Sequence, residues 1–120
     1  MGSLSAGFLY NTYGLLESIA DGYGNEAYTA VQVTELLNTQ KKLADNMIAL
    51  LEKMVHENAF KVKADKDYMV TSVTLLKGYK IQADLFLSLV KNKSQKNIDA
   101  YDKQRNKNWA DLGTLMGVKE

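Results

Sequence analysis

Arg105 is the only arginine in a chain of 120 residues, and it stands where the spacing of its helix neighbours asks for an apolar side chain. A guanidinium presents five donors in a planar fork and is costly to bury without acceptors. Such a residue either meets carboxylates and phenol oxygens or runs outward along its stem. Folding the predicted helices back on one another places Gln40, Ala83 and Arg105 at similar heights, with Tyr79 and Gln82 within a turn. Arg105, Gln40 and Tyr79 are therefore the candidate residues of a polar core layer able to bind a small anionic or carbonyl-bearing ligand. The reading we prefer is structural: a layer that fixes helix register, or an arginine at the edge of the surface.

Few other residues could do chemistry. There is no Cys, which removes thiol nucleophiles, thiolate metal sites and a disulfide framework. His56 is the only histidine, and Glu52 lies one helical turn before it, so the pair offers two ligands on one face. Two ligands do not make a metal site, and carboxylate-bridged di-iron bundles take a Glu-x-x-His from each of two helices. No metal is expected, and His56 reads as a helix-end charge. The methionines Met47, Met54, Met69 and Met116 sit on apolar stripes, where flexible thioethers fill gaps, so no haem or other cofactor is expected. Tyr10, Tyr13, Tyr23 and Tyr28 cluster near the first turn, where amphipathic rings cap a core.

Lys91 to Asn108 holds six basic residues against Asp99 and Asp102, with Tyr101 and Trp109 near enough to stack a base. The basic side chains are spread around the helix and the chain's pI is about 7.8, so nucleic-acid contact is the least favoured reading. The net charge of +1 supplies no long-range field. Its distribution is uneven: −4 up to Gln40 and +5 from Lys41 onward. Gly113-x-x-x-Gly117 is a helix-end spacing rather than a phosphate loop. A helical enzyme that clamps carboxylates needs several cationic forks, and one arginine does not supply them. No catalytic residues are expected.

These side chains have to be positioned by helices. The sequence has no Pro, its glycines are mostly clustered, and its apolar spacing is of the 3.6-residue type, which together predict an all-α chain. Helices are expected at about 3–21, 26–58, 65–92 and 95–116, forming a single domain: an antiparallel up-down four-helix bundle with two long central helices. Gly22-Tyr23-Gly24-Asn25 is read as the first turn, with positive-φ glycines and Asn25 as N-cap. The second helix carries the stripe Val33, Leu36, Gln40, Leu43, Met47, Leu50, Met54, widened by Leu37 and Leu51. A turn is expected over 59–64 with Asp65 as the next N-cap. That segment has neither Gly nor Pro, so a continuous helix is the alternative. Ser94 is expected to cap the last helix and Gly117 to stop it.

The third helix has a wide apolar arc, with Leu75, Leu85, Leu87 and Leu89 spilling around the face that carries Met69, Val73, Leu76, Tyr79, Ala83, Phe86 and Val90. Apolar area beyond the needs of one core marks interaction sites. The expected function is accordingly a non-catalytic interaction or assembly module whose contact surface is Tyr68, Leu75, Leu85 and Leu89, and whose partner is another protein or a second copy in a homodimer. No apolar run approaches the length of a membrane span, so no membrane insertion is expected.

Overall fold

The computed structural model describes residues 2–57 and 63–117, and within them the protein is a bundle of four helices. They are α1 (Gly2–Gly24), α2 (Ala30–His56), α3 (Lys63–Lys91) and α4 (Gln95–Leu115). The expected second turn over 59–64 falls largely on residues outside that description.

The ends of the helices follow from local chemistry, and the first turn differs from expectation. The positive φ lies on Glu26 (φ 63°) rather than on Gly22 or Gly24, which remain helical. Ala27 N donates to Gly22 O at 2.8 Å and Glu26 N to Tyr23 O at 3.1 Å, the paired bonds of a Schellman ending with Glu26 in the left-handed position. The cap of α2 is Thr29, not Asn25. The Thr29 hydroxyl accepts from Gln32 N at 3.2 Å while Thr29 N donates to Gln32 Oε1 at 2.9 Å, so a Thr-x-x-Gln capping box sets the start four residues later than the composition of the turn suggests. Gly22 has a different duty: a Cβ there would strike the Tyr28 ring folded over it. Ser94 caps α4 by accepting from Asn97 N at 3.2 Å, and Gly117, with φ 76°, closes its far end.

Paired residues run in opposite order along α2 and α3 and along α3 and α4. Lys41 pairs with Asp84, Asp45 with Lys80 and Glu52 with Lys77, so α2 and α3 are distinct helices running in opposite directions. Phe86 packs on Tyr101 and Gly78 meets Asn108, which gives α3 and α4 the same relation. The bundle is flattened, measuring 47 × 30 × 22 Å, because α1 and α3 pack directly across it. Tyr79 seals that crossing by donating to the Leu9 carbonyl at 2.8 Å. Among the described residues α2 and α4 do not touch, whereas α1 and α3 each pack against all three other helices, α3 the more extensively.

That central position explains the wide apolar arc of α3. Leu75 is 1% exposed, Leu76, Met69, Val73, Ala83 and Phe86 are buried, and Tyr68, Leu85 and Leu89 are half-buried against the same core. The expected contact surface is corrected at one residue, Leu75. Leu75 is core and cannot meet a partner, and the arc is wide because one helix serves three neighbours.

Candidate functional site

The stripe on α2 is corrected in a way that bears on function. Val33, Leu37, Ala44, Ile48 and Leu51 are the buried residues of this helix. Leu36, Leu43 and Leu50, placed in the core by their seven-residue spacing, are 37%, 48% and 53% exposed. The core takes the side of α2 that faces α3 and α1. The three leucines lie roughly a third of a turn away from its centre and form a straight ridge, with Met47 and Met54 half-buried along its edge. Leu15 of α1 is also about half exposed, beside the buried Leu16.

Polar side chains are concentrated on the opposite flank, between α3, α4 and α1. Asn108 is fully buried: its Nδ2 donates to Gly78 O at 2.9 Å and to Gln82 Oε1 at 2.8 Å, and its Oδ1 accepts from Gln104 Nε2 at 3.0 Å. Gly78 is required for this approach, since a Cβ there would collide with the Asn108 side-chain oxygen. Gln82 Nε2 is buried without a partner of good geometry, yet it leans on the Tyr101 hydroxyl and favours its ionised form. Burial above all, then the Glu17 charge, pushes Tyr101 up to about 12 against the opposing pull of Gln82 and Arg105. Burial likewise raises Tyr79, and burial with the hydrogen bond to Glu17 raises Tyr13. All three phenols remain neutral donors at ordinary pH.

Arg105 belongs to this flank. Its Nε lies 3.7 Å from Glu17 and its Nη2 3.5 Å from Asp102, and the guanidinium sits 5.9 Å from the centre of the Tyr101 ring. The structure does not bring Arg105 to Gln40. Gln40 and Tyr79 share a crevice of about 10 Å³ with Thr12, Leu16, Lys41, Ala44, Lys80 and Ala83, and Arg105 is not among its walls. The expected levels of Gln40 and Ala83 agree with that crevice. Arg105 instead sits beside Glu17, Asp102 and Tyr101, so the expected layer is not a single cluster. A volume of this size suits a single water and not an organic ligand.

His56 is exposed in the last turn of α2, and Glu52 faces Lys77 at 3.5 Å rather than His56. Among the described residues no group of three or more His, Cys, Asp or Glu is placed to hold a metal ion, and no helix is long and apolar enough to cross a membrane. In the basic stretch, Lys107 is paired with Asp111 at 2.7 Å and Trp109 packs on Tyr13 with ring centres 5.2 Å apart.

Asn108 is the residue that sequence reading passed over, although Tyr101, Arg105, Asn108 and Leu112 step by four, three and four. That rhythm places Asn108 on the core face and Trp109 beside it, as the structure does: Asn108 is buried and Trp109 is 46% exposed.

The protein is, in class, an all-α helical bundle whose buried polar groups largely satisfy one another and whose outer face carries the apolar ridge of α2. No protein-family model matches the chain, and neither the curated proteins nor the solved structures contain a match to it.

Proposed function

We propose that this bundle is a non-catalytic interaction or assembly module whose contact surface is the outer face of α2. The reading is supported chiefly by Leu36, Leu43 and Leu50, three half-exposed leucines in one row on the outer face of α2. Single exposed apolar residues are ordinary, whereas a contiguous row is the kind of surface that partners cover. A second support is that the polar groups able to orient a substrate are engaged with one another at Asn108, Gln82, Glu17 and Arg105.

The test is a photo-cross-linking side chain at Leu43 in protein produced in its native cell. A discrete covalent adduct is expected, and the absence of any adduct at Leu43 overturns the reading. Trp109, exposed on the opposite side of the bundle, is the control position.

A further inference from the structure

We infer that the partner of the α2 ridge is a second copy of this chain, packed antiparallel about a two-fold axis through Leu43; this rests on the proposed function above and names its partner. Leu36, Leu43 and Leu50 recur every seven residues, the spacing by which one α-helix presents a continuous seam to another helix. Within α2 the row is symmetric about its middle member. Reversing the helix direction places Leu36 against the partner's Leu50 and Leu43 against the partner's Leu43. The seam is therefore complementary to itself, as a two-fold interface must be.

Charge selects the antiparallel direction. Glu35 and Lys53 are eighteen residues apart, which is about five full turns, so they project from the same side of α2 at opposite ends of the ridge. Both are exposed. Among the described residues Glu35 has no ion pair, and Lys53 has only Glu57, one turn away at 3.9 Å. A two-fold axis perpendicular to α2 keeps like sides together while reversing the ends, which brings Glu35 beside the partner's Lys53 and Lys53 beside the partner's Glu35. Lys42 projects within about 20° of the same side near the axis, where it faces its own copy, so its long stem has to carry the ammonium out to solvent. A parallel pair would instead set each end of the ridge beside its own copy, with no such exchange of charges.

The chain has no cysteine, so introduced thiols report without background. Light scattering over a concentration series is expected to give twice the chain mass for the unaltered protein and the chain mass for Leu43→Glu, with circular dichroism unchanged because the site is half exposed. Glu35→Lys is expected to weaken the dimer roughly tenfold, and Glu35→Lys with Lys53→Glu to restore it. Leu36→Cys mixed with Leu50→Cys is expected to form a disulfide that neither variant forms alone. A single chain mass at all concentrations, or a Leu36→Cys protein that cross-links to itself, overturns the inference. An adduct at Leu43 with a different protein would also overturn it while leaving the interaction reading standing, and no adduct would remove both.

Discussion

The two flanks of α3 are built by different means. Towards α4 the contact is directional: Asn108 reaches across to Gly78 O and Gln82, its side chain lies against the Gly78 backbone because Gly78 has no side chain, and Phe86 and Tyr101 pack at 5.1 Å. Towards α2 the contact is a plain aliphatic core of Leu37, Ala44, Ile48 and Leu51, edged by the pairs Lys41–Asp84, Asp45–Lys80 and Glu52–Lys77. Hydrogen bonds of fixed geometry leave α4 one register, whereas apolar packing with solvent-edge charges holds α2 less specifically. The polar flank is held by directed bonds, and on the apolar flank α2 keeps its Leu36, Leu43 and Leu50 row exposed.

The comparison breaks most readily at Asn108. Asn108→Leu leaves Gln82 and Gln104 without their partner in a buried setting and is expected to cost about 2–4 kcal/mol in chemical denaturation. Gly78→Ala is expected to destabilise by about 2 kcal/mol, since overpacking against Asn108 outweighs the better helix propensity of alanine. In an Asn108→Ala background the same change should become neutral or favourable. A full penalty there would show that the Gly78–Asn108 contact is not the cause.

A smaller effect comes from alkali. A phenol whose folded-state pKa is raised binds its proton more tightly when folded, so its contribution is complete below the unfolded value near 10 and is lost as pH rises towards the folded value. For Tyr101, raised to about 12, the loss at pH 11 is about 1 kcal/mol, and Tyr79 and Tyr13 add to it in the same direction. Denaturation midpoints between pH 9 and 11 should fall accordingly, and replacing Tyr101 by Phe should flatten the slope. A midpoint constant over that range contradicts the burial of these hydroxyls.

The apolar flank should respond weakly to the loss of its charges. Asp45→Asn is expected to cost about 0.5 kcal/mol and to matter less in high salt, because its partner Lys80 and the carboxylate are both partly in water. A loss as large as that of Asn108→Leu would remove the distinction between the flanks. The smallest expected change is a gain: Glu26→Gly relieves the left-handed backbone of the first turn and should stabilise by about 0.5 kcal/mol, read as a higher Tm.

Much of this was legible in the residues. The absence of Pro and the 3.6-residue spacing specify helices, Ser94 and Gly117 mark the ends of α4, and the wide apolar arc of α3, read as a contact surface, belongs at Leu75 to a core shared with three neighbours. Two errors have definite causes. Asn25 reads as a cap because the Thr29 cap is completed only by Gln32, and Leu36, Leu43 and Leu50 read as core because seven-residue and 3.6-residue spacings overlap over a short helix.

Sequence alone determined the helical class and the poverty of reactive groups, since both depend on residue type and local spacing. Only the tertiary structure decided which side of α2 faces the core, that α3 lies between α2 and α4, and that Arg105 and Gln40 never meet. Those outcomes depend on how four helices share one interior, a balance of volumes and hydrogen bonds between residues far apart in the chain that no local pattern encodes.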